Sequence, residues 1–166
     1  MSDERKKALA EAESIARRVA EGLGLEIVEF VFHSQGKHSQ LRIDIDRAGV
    51  PGAGLADCEA LSRALDAPLE QVEFIGGGYE FQVSTPGIDR PIRSDDDLRR
   101  NTGRPVRAEV RDADGRVREI HGTLGGAAGA DRVRLLCEGE DMVVARDRIL
   151  LMKQDVTLGR RPRPRR

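Results

Sequence analysis

No tryptophan occurs among the 166 residues, and the aromatic set is four phenylalanines and one tyrosine. Proteins that hold single-stranded nucleic acid stack its bases on exposed rings, so a chain this poor in rings argues against a dedicated stacking platform. There are two cysteines, Cys58 and Cys137. Neither has another metal-ligating residue type at useful spacing, and two unpaired thiols suit a reducing compartment. No apolar run is long enough to span a membrane. The charged N-terminus reads as a helix rather than a secretory signal. A cytoplasmic location is expected.

The equipment of the common enzymes is also missing. No Gly-rich phosphate loop leads into Lys-Ser/Thr, and no His-Glu-x-x-His occurs. Ser62 and Ser84 have no evident His and Asp partners. His33 and His38 flank a hairpin loop and His121 falls in a strand, which reads as three solvated or structural histidines. Asp44 and Asp46 lie on the polar side of a strand. Paired carboxylates can hold Mg²⁺ or act as acid and base, but a solvated face is the plainer reading. No catalytic residue, metal or cofactor is expected.

Charge is plentiful. Lys and Arg number 28, Asp and Glu 29, and charged residues are 34% against 39% apolar, as in a soluble globular protein. The distribution is uneven. Residues 1–93 carry 11 basic and 16 acidic side chains, residues 94–150 carry 11 and 12, and residues 151–166 carry 6 and 1. A mildly acidic body with a basic end is not a nucleic-acid clamp, though it suits a basic protein partner.

Periodicity lays out the elements. Residues from about Asp3 to Glu21 give an amphipathic helix with Leu9, Ala12, Ile15, Ala16, Val19 and Leu23 on one side. Ser2 can cap it, and Gly22 and Gly24 end it. Leu25–Phe32 and Gln40–Asp46 read as paired strands around a hairpin loop at 34–39, with Leu41, Ile43 and Ile45 inward. Leu55 to about Leu69 is a second helix with Leu55, Cys58, Leu61, Leu65 and Leu69 buried; Pro68 should disrupt its last turn. Gly76–Gly78 turns into a strand at Tyr79–Val83. Asp95–Asn101 is a short helix with a Ser94/Asp97 capping box. Five short strands follow, at Pro105–Arg111, Val117–Leu124, Arg132–Cys137, Met142–Ala145 and Ile149–Lys153, with a loose loop at Gly125–Gly129. That spacing suggests a small barrel. The run Gly159–Arg166 cannot bury a core.

The fold class is therefore α+β, with an α-β-β-α-β domain over 1–93, a small β-barrel domain with a lead-in helix over 94–154, and an Arg/Pro-rich tail over 155–166. Where the two halves meet stands Ser84-Thr85-Pro86-Gly87-Ile88-Asp89-Arg90-Pro91-Ile92. Pro86 and Pro91 hold Thr85 and Arg90 extended, and Pro-Gly favours a tight turn, with Gly87 free to take positive φ. Ser84, Pro86, Gly87 and Pro91 read as the structural frame of this corner, and Asp89 and Arg90 as its candidate partner-binding residues. In the tail, Arg160, Arg161, Arg163, Arg165 and Arg166 could each neutralise a phosphate, for a salt slope of at most roughly 3.5, or could merely solubilise the chain.

This run resembles the central signature of the bacterial ribosome maturation factor RimP family. A second segment, Leu55-Ala56-Asp57-Cys58-Glu59-Ala60-Leu61-Ser62-Arg63-Ala64-Leu65, is similar to another family motif, in the family's order and spacing. The resemblance runs from about Ala8 to Lys153. It implies a KH-like N-terminal domain and an Sm-like or SH3-like barrel behind it. It also implies a binding factor, not an enzyme, that assists assembly of the small ribosomal subunit. The partner would be the immature particle near the decoding region, through a ribosomal protein and rRNA. A monomer is expected in isolation, since no self-association motif stands out. The rival reading is a general RNA-binding module. Its Gly-x-x-Gly candidates, Gly49–Gly52 and Gly126–Gly129, carry no basic residue and read as turns.

Overall fold

The computed structural model describes residues 3–35, 38–72 and 78–156. The chain divides into two compact units, one of Met1–Arg47 with Ala53–Pro86 and the other of Ala48–Gly52 with Gly87–Arg166. Within the described residues the first is an α/β unit and the second is rich in β-structure.

Helix α1 (Asp3–Gly22) turns Ala12, Ala16 and Ala20 fully inward. Alanines at i, i+4 and i+8 make one narrow stripe that lets its neighbours approach closely. The helix ends where Gly24 takes φ +68°. The amide of Leu25 then donates to Ala20 O at 2.9 Å and that of Gly24 to Glu21 O at 2.9 Å, the pairing of a Schellman stop. Leu23, expected in the core, lies between the last helical residue and this stop and is exposed.

Strands β1 (Glu26–Gln35) and β2 (His38–Asp46) are antiparallel and run further into the hairpin than the sequence suggests, with Ser34 opposite Ser39. Strand β3 (Glu80–Ser84) lies parallel to β2, giving the order β1-β2-β3. The parallel step needs a crossover, which α2 (Leu55–Glu70) supplies. Register places Ile27, Phe30 and Phe32 beside Ile45, Ile43 and Leu41, and Phe81 and Val83 beside Leu41 and Ile43. Both helices pack on that apolar face. Leu55 is not in the stripe of α2: it opens the helix and is 75% exposed. Pro68 lies inside the helix, which runs on to Glu70 and keeps Leu69 buried.

Asp44 and Asp46 do not form a solvated face; both are buried. β2 is the middle strand, with Glu29 and Ser84 flanking Asp44 in register. Arg42, two residues along the same face, donates to both Asp44 oxygens at 2.9 and 2.6 Å. Asp46 Oδ1 accepts from the amides of Arg47 and Ala53.

In the second unit, α3 (Asp95–Asn101) leads into β4 (Pro105–Arg111), β5 (Val117–Ala127), β6 (Arg132–Cys137), β7 (Glu140–Ala145) and β8 (Ile149–Gln154). The sheet order is β7-β6-β5-β4-β8, all antiparallel. Val106, Ala108, Leu124, Val133, Leu135 and Met152 form the core with Ile92 and Leu98. The glycine-rich stretch after Leu124 is not a loose loop, because β5 runs through it to Ala127 with a bulge between Leu124 and Gly126. Gly125 is required there. A Cβ would stand 2.8 Å from Cγ of Arg134, whose stem crosses it.

A buried polar cluster organises the start of this unit. Asp97 Oδ2 accepts from the amides of Ser94 and Arg93, at 3.0 and 3.2 Å, while its own amide donates to the Ser94 hydroxyl at 3.0 Å. Arg100 donates to Asp97 Oδ1 at 2.7 Å, with both side chains nearly enclosed. Asn101 Oδ1 accepts from Arg104 and from Gln154 of β8. Arg104 Nε donates to Gly49 O at 2.7 Å, and Gly49 N donates to Arg100 O at 3.0 Å. These bonds place residues 48–52 in the second unit. Burial alone would raise the Asp97 carboxyl, but the Ser94 amide and hydroxyl, the Arg93 amide and Arg100 outweigh it and hold Asp97 below the ordinary carboxylate range.

Replacing Asp97 with alanine removes a helix cap and takes a carboxylate partner from a buried guanidinium. Breaking one half of a buried pair costs about 3–5 kcal/mol, so Asp97→Ala should lower the urea midpoint of the second unit by an amount matching that loss. Denaturation followed by amide exchange in β4 and β5 checks it.

Candidate partner-binding surface

The corner is built by two elements that end on either side of it. β3 delivers the chain to Ser84, whose hydroxyl donates to Thr85 O at 3.2 Å. The first unit ends at Pro86. The turn proper is Gly87-Ile88-Asp89-Arg90, closed by the Arg90 amide on Gly87 O at 2.9 Å. Gly87 occupies its first position, does not adopt positive φ, and has open space where a Cβ would be. The positive φ that the sequence leaves open to Gly87 is not used: Ile88 and Asp89 are the central residues, and a turn with negative φ at both suits ordinary side chains. After Pro91 the chain is pinned by Ile92, buried in the second core, whose amide donates to Met152 O at 2.8 Å. That bond ties the segment after the turn to the second unit, which takes in Gly87–Arg166.

Gly87, Ile88 and Asp89 are exposed, and Arg90 is half-buried. Asp89 is 79% exposed and pairs with Lys153 of β8 at 3.4 Å. Lys153 lies opposite Arg107, and Arg107 opposite His121, on the outward side of three adjacent strands. His121 has two acidic partners, Asp155 on Nδ1 at 2.6 Å and Glu119 on Nε2 at 2.8 Å. The Asp155 hydrogen bond, then that of Glu119, pushes the imidazole above its ordinary value of 6.5. Asp155 itself is buried, and its amide donates to Pro105 O. The result is a row of three basic side chains, Lys153, Arg107 and His121, with Asp89 of the exposed tip at one end and Glu119 and Asp155 at the other. It can take up a partner carrying both signs of charge.

Sequence reasoning names Asp89 and Arg90 as candidates and does not single out Lys153, Arg107 and His121, which only strand register brings together. The arginines at 160, 161, 163, 165 and 166 lie outside the described residues, as do Ser2 and Gly76–Gly77. Gly49–Gly52 is a bend whose Gly49 amide and carbonyl are both engaged, and Gly126 lies in β5. Among the described residues, no group of three or more His, Cys, Asp and Glu could hold a metal ion, and no helix is long and apolar enough to cross a membrane.

The family model for the RimP N-terminal domain matches residues 15–89. The ribosome maturation factor RimP of Microcystis aeruginosa is 33% identical over 141 residues, which is 85% of this chain and 89% of that protein. The protein of the same name from Synechococcus elongatus is 36% identical over 139 residues, 84% of this chain and 90% of its own. The chain belongs to the RimP family. A Nostoc relative of that name is 46% identical over 92 residues, 55% of this chain and 60% of its own. In this RimP family member the matched region ends at Asp89, inside the exposed turn. The second motif is spent on folding. Asp57 accepts from the Gly54 amide and from Arg47, which hold it below the usual carboxylate range, while Cys58, Leu61 and Leu65 fill the first core.

A raised folded-state histidine gives stability that is complete below the unfolded value near 6.5 and is lost as pH rises through the folded one. The His121 side chain is 42% exposed, so solvent limits the gain to the surface-pair scale of about 0–1 kcal/mol. His121→Asn should therefore be less stable than the parent at about pH 6 and indistinguishable from it at about pH 9, measured as paired urea midpoints.

Proposed function

We propose that this protein assists maturation of the small ribosomal subunit by binding the immature particle transiently, making and breaking no covalent bond. The observation that carries the reading is family membership over most of the chain, with relatives named ribosome maturation factor at 33–36% identity. A ligand that binds one of two conformations better shifts the population toward it, so a binding factor can favour productive ribonucleoprotein folding with no reaction of its own. A cytoplasmic location follows from that role.

The domain reading belongs to the same proposal. The first unit is proposed as a KH-like domain and the second as an Sm-like barrel, with the tail from 155 a separate segment. A KH-like fold does not require the KH grip, and Gly49–Gly52, with its backbone engaged inside the second unit, offers no free loop for one. Asp89 and Arg90 at the corner, together with Arg160, Arg161, Arg163, Arg165 and Arg166 in the tail, are the proposed contacts. Ser84, Pro86, Gly87 and Pro91 set the corner's shape. The acidic balance of residues 1–93 favours a basic ribosomal protein near the decoding region, and the tail favours rRNA.

Two experiments test this. Cells lacking the protein should accumulate precursor rRNA and show slow small-subunit maturation; an unchanged subunit profile would overturn the reading. The Asp89–Lys153 pair is exposed and contributes only about 0–1 kcal/mol to folding. Asp89→Ala should therefore leave thermal stability within a degree or two while weakening particle binding by about fivefold or more, the scale of a contributing interface residue. Equal affinity for parent and variant would remove Asp89 from the contact.

A further inference from the structure

The second sheet has two edges, and they are treated differently. At β8 the amide of Ile92 donates to Met152 O at 2.8 Å, so the segment after the corner is bonded to that strand's outer side. At the other edge β7 pairs with β6 alone. A strand edge that presents its N–H and C=O groups is a template for another strand.

The phase of the β6–β7 ladder shows which groups those are. The hairpin turns through Glu138 and Gly139, both at positive φ, and a two-residue turn of this kind leaves Cys137 and Glu140 as its hydrogen-bonded pair. Bonded pairs then recur at every second position. The bond from the Arg146 amide to Asp131 O at 2.8 Å keeps that phase at the far end. Glu140, Met142 and Val144 therefore bond to β6, while the main-chain groups of Asp141 and Val143 point off the sheet. The surface around them is apolar. Met142 and Val143 are 40% and 47% exposed, and Leu136, diagonal to Val143 on the outward face, is 44% exposed. Glu138, Glu140 and Asp141 are exposed at the turn end of the strand, and among the described residues none of the three has an ion pair.

We propose that β7 takes up an extended segment of a basic protein as an added antiparallel strand. Main-chain bonds to Asp141 and Val143 give the affinity, and alternate side chains give the choice of partner. The partner residue opposite Val143 is aliphatic, and those opposite Asp141 and Glu140 are lysine or arginine. A second copy of this chain fits worse. Strand β7 holds two carboxylates and no cation, so pairing it with itself brings four acids into one seam. The same carboxylates disfavour a phosphate backbone. The occupant rests on the reading of a basic protein partner, and β7 gives that partner a strand to pair with.

The full chain labelled with ¹⁵N is titrated with acetyl-Thr-Val-Val-Lys-Arg-Thr-amide, whose first valine stands opposite Val143. The amide resonances of Asp141 and Val143 should move downfield saturably. N-methylation of that valine blocks main-chain pairing and should abolish the shift. Replacing the lysine and arginine of the peptide by glutamates should weaken binding about tenfold, since two cross-strand pairs turn repulsive. Val143→Pro removes an outward amide without breaking a bond to β6, and Asp141→Lys reverses one exposed charge; each should bind the peptide severalfold more weakly. No saturable shift, equal affinity for the glutamate peptide, or parent-like binding by Asp141→Lys would overturn the proposal. So would a downfield shift of the same amides with protein concentration alone, which would make the occupant a second copy. A failed peptide titration leaves co-migration with the particle untouched, and failed co-migration leaves the titration standing, so the two readings fail separately.

Discussion

The second unit depends on one buried carboxylate. Asp97 caps the helix it belongs to, accepts two amides ahead of it, and balances Arg100. From Arg100 and its neighbours the network continues through Asn101 and Arg104 to the backbone of Gly49 and to Gln154 of β8. Buried charges of this kind cost more to break than they contribute as a pair. Their effect here is geometric: a short helix too small to hold itself is tied to the last strand and to a loop from much earlier in the chain. The corner is set by the same frame, since Ile92 stands two residues before the capping serine and is bonded to β8.

The regular elements were legible because they rest on local pattern. The alternation of Leu41, Ile43 and Ile45, the stripe of Cys58, Leu61, Leu65 and Leu69, and the Ser94/Asp97 box each announce an element and its buried side. What was not legible depends on pairing across distance. Asp44 looks like a solvated carboxylate until β2 is known to be the middle strand, with Arg42 clamped on it. Gly125–Gly129 looks like a loop because glycine usually marks one; here a glycine inside a strand makes room for the Arg134 stem. Pro-Gly suggests a turn centred on itself, yet the observed turn starts at Gly87 and is centred two positions later, on Ile88 and Asp89.

The same division holds for the candidate surface. Asp89 and Arg90 stand out in the sequence because two prolines bracket them. Lys153, 64 residues away from Asp89, joins them only through the bonding of β8 to β4. The second family motif reads as a helix with a buried stripe, and it forms a helix cap and a row of core residues. Thus one motif of the RimP family helps build the first unit, and the other carries an exposed turn within it. An exposed turn pinned at both ends loses little entropy when it binds, which is why the proposed contacts are placed there and not in the helix.

The central claim is that this protein acts by holding a half-built particle. Sedimentation of tagged protein in extract from growing cells tests it most directly. The account predicts co-migration with immature small-subunit particles and little association with mature ribosomes or free RNA. Migration with free RNA alone, or at the position of the unbound protein under all salt conditions, would contradict it.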